Sequence, residues 1–287
     1  MGAIFRHELR NYFHSLTAYV FGAFLLAVVG LGSVLYNLQA AVSNFEFVLS
    51  FASIIFVVIV PILTMRTLAE ERRQRTDQLL YSLPITTTQV VLGKYLALLV
   101  VYLIPLAVIS LYPLLFSQFG DVYLPTSYGS LFAFFLMGAA LLAVGMFLSS
   151  LTDNQGFAAG IGIAAILLNY YSVSLAEYTS STAMGSLIAL YVIALLLGVV
   201  IHNLTRNENL AYGVTLVLIA ALSVAYFVNS SAFEGLLPDI MTKLSLFRQF
   251  SSFVNGAFDL TAIVYYVSVM GFFLFLTVQS LEKRRYN

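Results

Sequence analysis

Apolar residues in this chain fall in long unbroken runs rather than at a helical or strand period. Eight runs stand out, at 17–36, 47–65, 95–115, 128–150, 157–176, 183–201, 210–228 and 260–281, with almost no charge inside them. A helix that crosses ~30 Å of hydrocarbon at ~1.5 Å per residue needs about 20 such residues. Each run meets or nearly meets that length. In lipid, every backbone N–H and C=O has to be satisfied within the segment or in a closed barrel. Continuous runs fit helices, whereas barrel strands read as ~10-residue alternating stretches. The pattern predicts an all-α polytopic membrane protein with about eight transmembrane helices, forming a single membrane domain over 1–287. The run at 17–36 is longer than a signal peptide's apolar core and reads as a retained span.

Between the runs the pattern changes. In 3–16, Phe5, Leu9, Tyr12, Phe13 and Leu16 share one helical face, and Arg6, Arg10 and His14 share another. This is either an amphipathic helix in the membrane interface or a basic anchor before the first span. The connection 66–94 opens with Glu70-Glu71-Arg72-Arg73-Gln74-Arg75 and turns amphipathic at Leu79, Leu80 and Leu83. Pro84 biases Leu83 away from helical geometry, so a short helix is expected to end near Ser82. Thr86, Thr87 or Thr88 is placed to cap the helix that follows. Pro105 and Pro113 predict kinks in the third span. Ser149 to Gln155 reads as a tight polar turn, and Gly156 and Gly160 after it form a small-xxx-small pattern suited to close helix approach. The segment 229–259 carries apolar residues every three or four positions. It predicts one or two amphipathic helices on or partly inside the outer leaflet, serving as a lid beside a substrate path or as a surface helix.

Charge sets the orientation. With a cytoplasmic N-terminus and eight crossings, the cytoplasmic side holds Arg6, Arg10, Arg66, Arg72, Arg73, Arg75, Lys94, Arg206, Lys283, Arg284 and Arg285. The outer side holds only Lys243 and Arg248. Both termini are therefore expected in the cytoplasm. Tyr19, Tyr36, Tyr95, Tyr112, Tyr128 and Tyr212 lie near span ends, where aromatic belts form. Hydrophobic residues make up 61% of the chain and charged residues 9%, and the mean hydropathy is +0.95. A zero net charge points away from nucleic acid.

Candidate chemistry is sparse. No cysteine is present, which removes disulfides, thiolate metal sites and thiol catalysis. No Gly-x-x-x-x-Gly-Lys-Ser/Thr loop is present to cradle a nucleotide, and no Gly-x-Ser-x-Gly elbow. His7, His14 and His202 lack the spacing of a zinc site. No catalytic residue and no metal ligand is expected. Glu46, Asp121, Glu177 and Asp259 read as lying at span ends or in outer loops. Asn169, Tyr170 and Tyr171 read as an interfacial belt. With no ATP site and no charge at membrane depth, the free energy for any work is expected to come from a partner at the cytoplasmic face.

The run Glu70-Glu71-Arg72-Arg73-Gln74-Arg75-Thr76-Asp77-Gln78-Leu79-Leu80-Tyr81-Ser82-Leu83-Pro84-Ile85-Thr86 resembles the cytoplasmic coupling segment of ABC-2-type ABC transporter permeases. Ser150-Leu151-Thr152-Asp153-Asn154-Gln155 is similar to a second recurrent segment of that family. The end of the chain, from Phe258-Asp259-Leu260 to Arg285, looks like the last span of its gliding-motility-type subgroup. The resemblance covers 1–176 and 235–285, and the sixth and seventh spans read as a pair added to the family's usual six. It implies that Glu70, Glu71, Arg72, Arg73, Arg75, Thr76, Leu79, Leu80, Ser82, Leu83 and Pro84 couple the chain to a cytoplasmic ABC ATPase. Leu79, Leu80 and Leu83 would form an apolar knob, and the charged residues a rim that sets register. Thr152, Asp153, Asn154 and Gln155 would form a second cytoplasmic turn.

The same resemblance implies a second permease, identical or related, a possible envelope or auxiliary membrane subunit, and ATP and Mg bound by the ATPase rather than by this chain. The implied setting is the cytoplasmic (inner) membrane of a prokaryote. The expected function is that of a non-catalytic permease subunit of an ATP-driven exporter. The alternatives are an ATPase-coupled mechanotransmitter or scaffold acting on an envelope partner, and an ATP-independent carrier or channel.

Overall fold

Residues 1–74, 85–205 and 208–286 are described by the structure, a computed structural model. Among them there is no strand. The helices are α1 (Gly2–His14), α2 (Leu16–Ser33, continued by a π-helical turn Val34–Gln39), α3 (Phe45–Ser53), α4 (Phe56–Thr64), α5 (Ala69–Gln74), α6 (Thr87–Ile109), α7 (Leu111–Phe116) and α8 (Leu124–Leu151). They continue as α9 (Gln155–Tyr178), α10 (Ala183–Thr205), α11 (Glu208–Val228), α12 (Leu236–Lys243), α13 (Leu246–Val254) and α14 (Leu260–Tyr286). All eight apolar runs lie on helices. Six described helices are long and apolar enough to cross a bilayer. The pair α3–α4, bent by 57°, is a seventh candidate as either a broken span or a re-entrant loop, and the apolar stretch Ala183–Val199 is a shorter helix. The chain divides into two compact units, residues 1–170 with 246–287, and residues 171–245.

In the first unit α8 is the central helix, with 72% of its apolar window buried. Small residues make this possible, because in lipid helices associate through close packing rather than through water exclusion. The Tyr102 ring of α6 lies over Gly138, and the Thr64 side chain of α4 lies against Gly145. Two tyrosines one heptad apart on α6 fasten it to α8. Tyr95 donates to the Ala139 carbonyl at 2.9 Å and Tyr102 to that of Phe134 at 2.8 Å. Tyr95 is thus a buried strut and not part of an interfacial belt. On α9 the close approach occurs at Gly162, where an added Cβ would come 3.0 Å from Pro61, while Gly160 faces open space. The expected Gly156–Gly160 seam is therefore displaced along the helix.

The bend between α3 and α4 has a local cause. Ile55, Val57 and Val58 bond three residues back rather than four, and the Ser53 hydroxyl donates to the Ser50 carbonyl at 2.7 Å. The helix tightens there, just ahead of Pro61, whose ring cannot follow an ideal i→i−4 ladder.

Glu46, expected at a span end or in an outer loop, lies in the first turn of α3 and is 1% exposed. Ser127 of α8 donates to Oε1 at 3.2 Å, and Oε2 has no hydrogen-bond partner among the described residues. A buried polar atom left without a partner costs about 1–3 kcal/mol. Glu46→Gln keeps the acceptor for Ser127 and removes the charge. It is expected to raise the unfolding temperature of the detergent-solubilised chain. A lower temperature would show that the carboxylate is satisfied by something else.

The segment 229–259 forms two helices, as its pattern predicts. In the first unit, α13 buries Leu246, Phe250 and Phe253. Its start is held by Asn169, whose Oδ1 accepts from the Leu246 N–H at 3.0 Å, and by Tyr266, which donates to the Leu246 carbonyl at 2.8 Å. Ser130 donates to the Phe253 carbonyl at 2.9 Å and holds its end. Asn169 is therefore a capping residue rather than a belt residue, and Tyr170 meets Phe247 edge to face.

The second unit pairs α10 with α11. Tyr191 and Ser223 share a hydrogen bond of 2.7 Å between them, and the Thr215 side chain sits against Gly198. Gly235 has φ +69, a left-handed conformation that suits glycine, and starts α12. Its N–H donates to the Ser181 carbonyl at 2.8 Å.

Candidate functional site

The end of the first unit that the charge pattern assigns to the cytoplasm gathers most of its ion pairs. It is built around α5, where the described part of the expected coupling segment begins. A helix turns by ~100° per residue, so four successive charged residues at 70–73 point four ways. Arg66 and Glu70, one turn apart, pair through two bonds of 2.7 and 3.1 Å, the fork geometry that favours arginine with carboxylate. Arg66 also donates to Thr17 of α2 at 2.8 Å.

Glu71 turns inward. Its Oε1 accepts from Lys94 Nζ at 2.6 Å, and the same ammonium donates to Glu8 Oε1 at 2.7 Å and to the Thr67 carbonyl at 3.1 Å. An ammonium has three N–H donors, and all three are used. Lys94, counted in the sequence as a cytoplasmic-side charge that marks topology, lies within α6 and is 1% exposed. The N-terminal helix is brought to it by Gly93, where an added Cβ would meet Ile4 at 3.1 Å. Tyr12 of α1 is buried beside this cluster. Burial, and then the Glu8 charge, hold its hydroxyl well above the usual tyrosine range, so it stays neutral.

Arg72 and α8 cap each other. The Ser149 hydroxyl accepts from Leu68 N–H at 3.4 Å and from Ala69 N–H at 3.2 Å, where α5 starts, and donates to the Met65 carbonyl at 3.2 Å. In return Arg72 Nη1 donates to the Ser150 carbonyl, one of the last of α8, as does Ser280 of α14 at 3.2 Å. A cation at a helix C-terminus also meets the negative end of its dipole. These bonds tie α5 directly to α8, whose last carbonyls also hold α14.

Of the residues expected to couple, the structure places Glu70 and Glu71 at part-buried positions, Arg72 inside, and Arg73 exposed. The outward charge of α5 thus rests mainly on Arg73. Arg75, Thr76, Leu79, Leu80, Ser82, Leu83 and Pro84 lie outside the described residues. Thr86 caps α6, accepting from Gln89 N–H at 3.3 Å. In the second turn, Asn154 starts α9. Its Oδ1 accepts from Gly156 N–H at 2.9 Å and Phe157 N–H at 3.3 Å, while the Thr152 hydroxyl accepts from Asn154 N–H at 3.2 Å. Asp153 and Asn154 are exposed and Thr152 and Gln155 half-buried. Arg72 brings the two expected segments together, since it bonds the helix end from which the turn 151–154 leaves.

Glu8, Lys94, Ser149 and Ser280 were not among the expected site residues. The signal for Glu8 is an acid at the i+3 position from Phe5 and the i−4 position from Tyr12, inside an apolar face. For Lys94 it is a lone cation between Val90-Val91-Leu92 and the apolar run that starts at 95. Such residues are buried only when paired. Among the described residues, the arrangement has no nucleophile activated by a base. It fixes the short helix α5 against α6 and α8 through charge-assisted bonds, and Lys94 extends the cluster to Glu8 of α1.

A family model described as ABC-2 family transporter protein matches residues 31–176. No curated protein matches the chain at a significant level.

Proposed function

The chain belongs to the ABC-2 family of transporter proteins, a multi-pass membrane protein and the permease component of an ABC transporter; from that premise we propose that it couples a separate cytoplasmic ATPase to export through the anchored helix α5. Hydrolysis takes place on the partner, which carries ATP and Mg, and this chain supplies the moving path together with a second permease in a prokaryotic inner membrane. The single observation that carries the reading is the placement of α5. Glu71 bonds Lys94 of α6, which in turn bonds Glu8 of α1, Arg72 bonds the end of α8, and Arg73 is exposed. A docked ATPase that displaces the segment leaving α5 therefore pulls on α6 and α8 directly and on α1 through Lys94. The exposed Arg73, with the expected coupling residues that follow it in sequence, sets which ATPase fits.

The test is co-purification. The full-length tagged chain, extracted from its native membrane in mild detergent, is expected to bring down an ATP-hydrolysing ABC subunit. Arg73→Glu is expected to reduce that recovery severalfold without lowering the unfolding temperature. Equal recovery would move recognition away from α5.

A further inference from the structure

The cluster at Lys94 holds one more carboxylate than a lysine needs. Glu8 and Glu71 both bond Nζ, at 2.7 and 2.6 Å. The two are not equivalent. Glu8 sits on the 13-residue helix α1, which packs along α6, and its side chain is 12% exposed. Glu71 sits on the 6-residue helix α5, at the edge of the segment proposed to move, and is 23% exposed. His7 Nδ1 stands 4.0 Å from Glu8 Oε1 and adds a second positive neighbour to that carboxylate when protonated.

We propose that Glu8 is the standing counter-ion of Lys94 and Glu71 the releasable one, so that α5 detaches and re-docks without leaving a bare buried charge. Breaking an isolated buried pair strands one ion, which is costly. Here the departure of Glu71 leaves a neutral Lys94–Glu8 pair, and Glu71 regains water at the surface. The cluster goes from a net charge of −1 to 0, so release also relieves the repulsion between the two carboxylates. Glu8 is in this sense a positioning residue. It holds α1 to α6 in both states and makes the α5 contact a switch rather than a permanent weld. Thr67 C=O, already bonded to Lys94 at 3.1 Å, steadies the ammonium during the exchange.

The inference rests on α5 being the coupling element, but its test does not need the ATPase. The chain has no cysteine, so spin labels go in at single introduced sites. One pair replaces exposed Arg10 and Arg73 and reads α1 to α5; a second replaces exposed Arg10 and Gln89 and reads α1 to α6. Distances are measured by pulsed EPR on the full chain in lipid nanodiscs. Glu71→Gln is expected to add a second, longer α1–α5 distance and leave α1–α6 unchanged. Glu8→Gln is expected to do the reverse: Lys94 and Glu71 remain as a locked pair, and α1–α6 broadens. Should Glu8→Gln fail to fold, Glu71→Gln alone decides, because loosening of α1–α6 to the same extent as α1–α5 overturns the division of roles. Equal effects of the two variants on both distances overturn it as well. If the distances behave as expected and no ATPase engages α5, the switch stands and the coupling reading falls.

Discussion

Replacing Lys94 with methionine is expected to destabilise the chain by about 3–5 kcal/mol, the usual cost of removing one partner from a buried charge pair. Methionine fills much of the lysine stem's volume, so the loss is electrostatic rather than a cavity. Glu8 and Glu71 would face each other across a buried site with no ammonium between them, and the Thr67 carbonyl would lose its donor. The signature of this cause is rescue. The triple variant Lys94→Met, Glu8→Gln, Glu71→Gln removes every charge in the cluster and is expected to recover most of the loss, since buried pairs replaced whole are often near neutral. Retention of the monodisperse size-exclusion peak after heating measures both. A single variant as stable as the triple would mean that the carboxylates find other partners when Lys94 goes. The triple variant is also expected to lose coupling, because α5 then has no charged hold on α1 and α6.

The second large effect is at the core of the bundle. Tyr102→Ala is expected to cost about 3–5 kcal/mol, as for other large aromatic truncations. The ring is fully buried, edge-on to Phe21 and Phe56 and stacked on Phe135 at 5.9 Å, and its hydroxyl satisfies the Phe134 carbonyl. These contacts also fix Gly138. A Cβ there would stand 2.6 Å from three atoms of the Tyr102 ring end, and the ring, held at its hydroxyl, has nowhere to retreat. Gly138→Ala is therefore expected to cost about 1–3 kcal/mol by overpacking. In the Tyr102→Ala background the same change is expected to be neutral or stabilising, because the methyl enters the space the ring has left. Additive losses in that cycle would show that the two positions do not share a contact.

The apolar runs carried most of the fold, because a backbone in lipid has few ways to satisfy itself and long unbroken runs admit only helices. Hydropathy could not find the 57° bend between α3 and α4, since the residues at 54–58 are apolar on either path and the change lies in which carbonyl each N–H chooses. Tyr95 looked interfacial for a similar reason. Near a span end the ring is equally at home in a belt or as a strut, and only the partner carbonyl of Ala139 decides. Gly162 and not Gly160 makes the close approach because the seam depends on where Pro61 of another helix lies.

For the candidate site, the charge run marked α5 but not the directions in which its side chains point. Glu70 to Arg73 read as a charged rim, yet one helical turn cannot present four consecutive side chains to one partner. The pairings with Lys94 and Ser150 span 23 and 78 residues of chain, a distance over which no local pattern carries information. Glu8 and Lys94 were still visible as charges out of place on apolar faces. Each asks for a partner, and each is the other's.

The measurement that tests the central claim most directly is a photo-crosslinker placed at Arg73 of the full-length chain in living cells, with adducts identified by mass spectrometry. The account predicts a covalent adduct to an ABC ATPase, and predicts that the yield falls when the triple neutral variant at Glu8, Glu71 and Lys94 loosens α5. A well-expressed, membrane-inserted chain whose Arg73 probe captures only lipid or other copies of the chain would contradict it.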